Sequence, residues 1–344
     1  MSFLQHARRQ GRAFQNPVPT TVGLPGTRWA TLRDFFVGGQ ERVPRQRLGP
    51  FRTDPGLYTV PPATGLRVTW MGHSTLLIEI DGKRVLTDPV WATYASPVQA
   101  LFAKRFFPPT LQLQELPRLD AVLLSHDHYD HLDASAIKRL ATTEVPFICS
   151  LGMGSHLRRW GIPADRITEL DWTDRTTLGD LTITAVPARH FSGRFRPDQS
   201  TLWSAFVIRT PGHTIFFGGD SGPFIEGFRE IGEVYGPFDL TMLEIGAYGA
   251  YWPQIHMGPE HAAEAHQALR GRVLLPIHWG LFSLAYHPWR EPVEWIIREA
   301  EARGITLLLP RPGHPTDVDG EGHRSDWWTE RPAPAMRSPS SSSP

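Results

Sequence analysis

The sequence predicts an α/β protein, and three observations carry that expectation. Apolar runs with the length of buried strands recur from residue 66 to residue 309, segments of helical period separate several of them, and four of the runs lead to a histidine or an aspartate. In chain order, hairpin strands at 66–71 and 75–80 lead into Asp81-Gly82, a favoured tight-turn pair, and then a strand at 84–87. Further strands are expected at 121–124, 146–150, 181–187, 202–209, 214–217, 239–245, 272–277 and 306–309. Helices are expected over 133–141, with Asp133 as the cap, and over 224–235, 259–269 and 292–303.

Composition bounds the organisation. With 344 residues, 40% hydrophobic and 20% charged, the chain can bury a large core, and residues 61–310 have the size of one compact β-rich unit. Residues 1–60, rich in Arg, Pro and Gly, read as an irregular arm wrapping that unit. Residues 311–344, ending in a Ser- and Pro-rich stretch, read as a disordered tail. Thirty-five basic residues balance thirty-five acidic ones, which leaves no basic stripe for nucleic acid. The lone cysteine, Cys149, lies in an apolar run, reads as a small buried hydrophobe and forms no intramolecular disulfide. No run of about 18 apolar residues is present. Arg8-Arg9 is followed by a polar segment rather than the apolar core of an export signal, so a cytoplasmic protein is expected.

The chemistry concentrates in Ser125-His126-Asp127-His128-Tyr129-Asp130-His131. Three imidazoles and two carboxylates fall within six residues directly after the run 121–124. Neutral imidazole is the commonest ligand for zinc-like ions, and carboxylates complete such a site. His190, Asp220 and His278 each follow a separate strand, and ligands converging from rigid strand ends are what a metal centre needs.

The order His126-x-His128-x-Asp130-His131, then His190, Asp220 and His278, resembles the metallo-β-lactamase superfamily. Gly72-His73-Ser74-Thr75, Leu86-Thr87-Asp88-Pro89, Ile245-Gly246-Ala247-Tyr248 and Ile277-His278-Trp279-Gly280 resemble, more narrowly, the N-acyl-phosphatidylethanolamine-hydrolysing phospholipase D branch. The resemblance spans roughly residues 45 to 310 and implies a four-layer αββα sandwich with two Zn2+ per chain. It implies that His126, His128 and His190 hold one metal, that Asp130, His131 and His278 hold the other, and that Asp220 bridges them. Asp130, Asp220 and His256 would be the catalytic side chains, His256 contacting substrate or protonating a leaving group unless it is only a polar loop residue before the helix that starts near Pro259. Asp88 would orient metal-binding histidines, and His73 would either support the ligands with it or simply satisfy a buried backbone group beside the site. No cysteine stands at a ligand position, and His128 stands where diiron relatives carry Glu; both favour zinc.

Two departures bear on the substrate. Tyr94 replaces an expected Arg before Ala95-Ser96-Pro97, and Gly249-Ala250-Tyr251 replaces a charged segment. Trp91, Phe102, Phe106 and Phe107, interleaved with Lys104 and Arg105, suit either a lip that receives an acyl chain beside an anionic headgroup, with Tyr248 and Trp279 lining the same mouth, or ordinary packing under a long loop. The expected activity is hydrolysis of a phosphodiester in an N-acyl-phosphatidylethanolamine-like phospholipid, through hydroxide shared by two metals about 3.5–4 Å apart. The alternatives are a lactonase or amide hydrolase similar to the ascorbate-6-phosphate lactonases and a non-catalytic metal-binding scaffold. The expected partners are the phospholipid or another small-molecule substrate and, peripherally, a membrane, but not nucleic acid.

Overall fold

The computed structural model describes residues 2–37, 40–96 and 103–330. A short hairpin, β1 (Arg9–Gln10) and β2 (Ala13–Phe14), and helix α1 (Arg28–Val37) precede the main body. One sheet is formed by β3 (Leu66–Trp70), β4 (Leu76–Ile80), β5 (Lys83–Thr87), β6 (Ala121–Leu124), β7 (Phe147–Ser150) and β8 (Ile167–Leu170). The second holds β9 (Arg175–Leu178), β10 (Leu181–Pro187), β11 (Ser204–Arg209), β12 (Thr214–Phe217), β13 (Phe238–Glu244), β14 (Gly271–Ile277) and β15 (Thr306–Leu309). Two late strands close the edges: β16 (Pro315–Asp317) pairs antiparallel with β3, and β17 (His323–Arg324) pairs parallel with β15.

Each sheet is an antiparallel meander that continues as parallel strands. In the first, β3, β4 and β5 are antiparallel neighbours and β5 through β8 run parallel. In the second, β9 through β12 are antiparallel and β12 through β15 run parallel. The fold is therefore a duplicated unit in architecture, although the sequence shows no repeat.

Strand periodicity sorts the side chains into layers. Along β6, Ala121 and Leu123 join the large cluster that also contains Ile183, Phe206, Phe217 and Leu243 of the second sheet, so the sheets face each other there. Val122 and Leu124 point the other way, onto Ile137 and Leu140 of α2 (Ala134–Leu140) and Leu157 of α3 (Gly154–Arg159). On the second sheet, α4 (Ile225–Tyr235), α5 (Pro259–Ala268) and α6 (Glu291–Arg303) contribute Phe228, Ala262 and Ile296 to the core. The layers are αββα. Asp133 caps α2 as expected, its carboxylate accepting from Ser135 N at 2.8 Å. Cys149 is buried among the α2-facing residues.

The tail expectation needs correction. Residues 311–330 are ordered: β16 and β17 extend the sheets, and Trp327, 1% exposed, stacks on Trp279 with ring centroids 5.3 Å apart. The segment looked disordered in sequence because its strands are only two or three residues long and mostly polar. Its anchor is a buried tryptophan pair, Trp327-Trp328, whose burial stabilises the tail by roughly 1.5–3 kcal/mol for each large side chain. Residues 331–344 lie outside the described residues.

Candidate metal centre

The site forms where strand ends from both sheets meet. β6 delivers the 126–131 loop, β10 leads to His190, β12 to Asp220, β13 ends at Glu244 and β14 leads to His278. Asp88, beyond β5, organises the first loop. Its carboxylate accepts from Ser125 N at 2.8 Å, from Ser125 Oγ at 2.6 Å and from His131 Nδ1 at 2.7 Å. That last bond turns His131 Nε2 toward the centre, the orienting role expected for Asp88. His73 (φ 56°), Asp88 (φ 34°), Ala247 (φ 61°) and His278 (φ 62°) all adopt left-handed backbone. Such conformations are rare for non-glycine residues and concentrate at functional sites.

The expected ligands converge in two groups. Ligand atoms of His126, His128, His190 and Asp220 lie within 4.8 Å of one another, as do those of His73, Asp130, His131 and His278. Nδ1 of His128 is 2.8 Å from His126 Nε2 and 3.2 Å from His190 Nε2. Asp220 stands between the groups. Its Oδ2 is 3.7 Å from Nε2 of both His126 and His190, 3.2 Å from His131 Nε2 and 3.1 Å from His278 Nε2.

Metals fit this donor set on an observation independent of the motif. His131 Nε2, Asp220 Oδ1 and His278 Nε2 are buried without a hydrogen-bond partner among the described residues. Unpaired buried polar atoms are rare in native proteins, and a bound ion is one of the standard reasons for them. The electrostatics agree. Burial holds the His126, His128 and His190 imidazoles below their usual range, hence neutral and ready to ligate. In the other group burial also disfavours charge, but the Asp220 carboxylate and the neighbouring Asp130 override it, raising His131 and lifting His278 to about 10. Burial likewise pushes the Asp220 carboxyl up, and His131 and His278 outweigh it, holding Asp220 well below the usual range. The negative potential that draws protons here also draws cations.

His73 stands behind the ligands in two ways. Its carbonyl does accept from Trp70 Nε1 and His278 N, but its ring donates Nε2–H to Asp130 Oδ2 at 2.9 Å, so it also orients a ligand. Burial pushes its imidazole down to about 3.

Glu244 was not anticipated. It is fully buried, accepts from Ser221 N at 2.7 Å and Met257 N at 3.2 Å, and takes a bond from His256 Nδ1 at 2.6 Å. Asp220, Glu244, His256 and His278 form a third group of potential ligands. Read in sequence, Glu244 was one polar residue in an apolar strand; its signal was its place at a strand end, in the manner of Asp220.

The cleft over the centre, about 330 Å³, is lined by His128, Asp130, Asp220 and His256 together with Phe191, Trp252, Ile255, Leu284, Ala247 and Val22. The aromatics expected at a mouth lie elsewhere than on this cleft. Phe107 is 1% exposed, edge-on to Phe51 and Trp327; Trp279 is stacked against Trp70 and Trp327. Phe106 packs on Trp289, and Trp91 donates Nε1–H to Leu111 O. Tyr248 bonds Glu291 and stacks on His287. None of these five lines this cleft; Phe106 and Phe107, with Lys104 and Arg105, line a separate groove of about 720 Å³, and Phe102 lies outside the described residues.

A family model described as the beta-lactamase superfamily domain matches residues 83–279, more than half of the chain. The chain belongs to the β-lactamase superfamily. An uncharacterized protein of Mycobacterium tuberculosis is 49% identical over 270 residues, which are 77% of this chain and 72% of that protein. N-acyl-phosphatidylethanolamine-hydrolyzing phospholipase D 1 of Caenorhabditis elegans is 38% identical over 233 residues, covering 64% of this chain and 65% of that protein. A metallo hydrolase of the archaeon Ignicoccus hospitalis aligns with a TM-score of 0.57 and 24% identity, over 73% of this chain and 97% of that one, a likeness of fold. Superfamily membership and the clustered ligands together support a metal-dependent hydrolase. Among the described residues, no helix is long and apolar enough to cross a membrane.

Proposed function

We propose that this protein is a binuclear zinc phosphodiesterase that hydrolyses N-acyl-phosphatidylethanolamine-like phospholipids at the phosphorus–oxygen bond to the acylethanolamine. The observation that carries the reading is the position of Asp220 Oδ2, within 3.1–3.7 Å of imidazole nitrogens from both ligand groups. His126, His128 and His190 would hold one ion, Asp130, His131 and His278 the other, with Asp220 shared. An all-nitrogen and oxygen donor set without thiolate suits zinc. When bound, the pair supplies a nucleophile from water at neutral pH and neutralises charge on a phosphoryl oxygen.

The chain's own groups supply the rest. Glu244 holds the His256 ring through Nδ1, leaving Nε2 as the free ring nitrogen beside the cleft that His256 lines. There the imidazolium form would donate its Nε2 proton to the departing alkoxide, leaving a neutral ring whose Nδ1–H stays on Glu244. Phe191, Trp252, Ile255 and Leu284 give the acyl chains an apolar wall and keep bulk water from the reacting phosphate.

A phospholipid substrate has to be taken from a bilayer, and the described surface carries two exposed aromatics. Phe195, 89% exposed, neighbours Tyr129 within the ligand loop. Trp29, 81% exposed, sits on α1, whose Asp34 bonds Tyr251 next to Trp252. Aromatic side chains favour the membrane interface, so peripheral contact with lipid from the cytoplasmic side belongs to this proposal. The similarity to the nematode phospholipase D supports the substrate class.

The test is hydrolysis of N-acyl-phosphatidylethanolamine in heavy-oxygen water. Label in phosphatidic acid with an unlabelled N-acylethanolamine is expected. Label in a free fatty acid, or lactone opening without phosphodiester cleavage, would move the assignment to carbonyl chemistry.

A further inference from the structure

Three residues after β10 ends, His190 has left the sheet, and its backbone has no ladder partner. The backbone is satisfied from the other end of the chain. The Asn16 amide donates Nδ2–H to His190 O at 2.7 Å and accepts His190 N–H through Oδ1 at 2.9 Å. A side-chain amide that makes both bonds to one residue acts like a paired peptide group: it fixes the backbone in position and direction together. The ring is fixed separately, by Nδ1–H to Ile255 O at 2.7 Å, which aims Nε2 into the metal centre. Backbone and ring of this ligand are therefore set by two different segments, and one of them is the N-terminal arm.

The arm is built as a strap. Ser2 Oγ and Phe3 N donate to Glu230, and Ala7 N donates to Asp171 at 2.9 Å. Phe14 is fully buried in the core, and its N–H donates to Gln199 O at 2.9 Å. Pro17 and Pro19 stiffen the segment that follows Asn16. Arg189, beside His190, donates to Thr20 Oγ1 at 2.9 Å and to Pro19 O at 3.0 Å. The strap then reaches the cleft itself, where Val22 lines the wall with His128, Asp130 and His256. Asn16 lies outside residues 83–279, the part of the chain that the superfamily model matches.

We infer that Asn16 is a positioning residue for His190, so that this one side chain of the N-terminal strap sets the affinity of the His126–His128–His190 half-site. The inference rests on the metal centre proposed above. Groups that hold a ligand in place from behind commonly tune metal affinity by about 10–100-fold when removed. Aspartate at position 16 could still accept the His190 N–H but could not donate to its carbonyl, so its effect should be intermediate.

The experiment is titration of the metal-free full chain with Zn2+, and with Co2+ as a spectroscopic probe, alongside thermal unfolding of the metal-free proteins. Wild type is expected to take up two equivalents. Asn16→Ala should weaken one of them roughly 10–100-fold and alter the Co2+ spectrum of that half-site, and Asn16→Asp should fall between. Glu230→Gln, which loosens the strap far from His190, should bind both equivalents as wild type does. Equal weakening by Glu230→Gln would overturn the inference by assigning the effect to the strap as a whole. Wild-type Zn2+ affinity in both Asn16 variants, with a lowered metal-free Tm, would overturn it by assigning Asn16 to folding. If Asn16→Ala does not fold, Asn16→Asp decides by the same two readouts. Failure of wild type itself to bind Zn2+ would instead sink the proposed function.

Discussion

His256 Nδ1 lies 2.6 Å from Glu244 Oε2, and the same carboxylate is tied down by two backbone N–H groups, Ser221 and Met257. A buried acid held on three sides fixes the orientation of the imidazole and keeps Nδ1 occupied, so that Nε2 of the imidazolium form is the nitrogen that donates. General acid catalysis contributes about 10²–10⁴-fold and matters most when the leaving group is poor. Replacing His256 by Ala should therefore slow cleavage of an alkyl phosphodiester by that factor and barely affect a nitrophenyl ester. Glu244→Gln should follow the same pattern more weakly, with metal content unchanged by elemental analysis. Equal losses on the two esters would remove His256 from the proton-donor role.

Asp220 offers one carboxylate to both ligand groups, so metal content and activity should fail together when it is removed. Metal-replete protein is expected to approach two equivalents per chain, as tetrahedral sites sharing one ligand require. Asp220→Ala should lose several orders of magnitude in turnover while keeping the circular dichroism of the native fold. Chelation should abolish activity reversibly, with zinc restoring it. Full activity at one equivalent would contradict the binuclear reading.

The centre was legible in sequence because its chemistry is local or periodic. His126, His128, Asp130 and His131 fall in one short loop, and His190, Asp220 and His278 each follow a run that reads as a strand. Asn16 and Glu244 were missed for opposite reasons. Asn16 acts across 174 positions, a distance that no local pattern spans, and Glu244, the last residue of an apolar strand, had only that strand-end position to mark it. The aromatic positions were ambiguous for a third reason: a ring packed in a core and a ring lining a mouth have the same sequence signature. Phe107 and Trp279 belong to the first kind, with 1% and 3% exposure. The αββα layering was implied by resemblance, while the edge strands β16 and β17 were too short and polar to read.

The placement of these aromatics makes a discriminating prediction. Phe107→Ser empties a packed position and should lower Tm, since removing a buried phenyl group typically costs about 3–5 kcal/mol. KM for long-chain substrates should stay near wild type in the surviving folded protein. Phe191→Ala and Trp252→Ala should do the reverse, raising KM in a graded way as acyl chains lengthen, by about 0.8 kcal/mol for each methylene that the wall no longer buries. A chain-length effect confined to Phe107→Ser would restore the lip inferred from sequence.

His266 provides a pH test away from the metal ligands. It is 3% exposed on α5, its Nδ1 lies 2.7 Å from Thr241 Oγ1, and burial pushes its imidazole down to about 4. An unfolded histidine titrates near 6.5. The unfolded state therefore binds the extra proton first as pH falls. The stability contributed by neutral His266 is complete above about pH 6.5, is lost progressively toward pH 4, and changes no further below that, for a total of about 3 kcal/mol. Urea unfolding of wild type and His266→Gln across this interval measures the difference directly. The variant should be less stable at pH 7 and should lose less stability on acidification, so that the two proteins converge near pH 4. Parallel curves over the whole range would show that His266 stays solvated enough to titrate normally in the native protein.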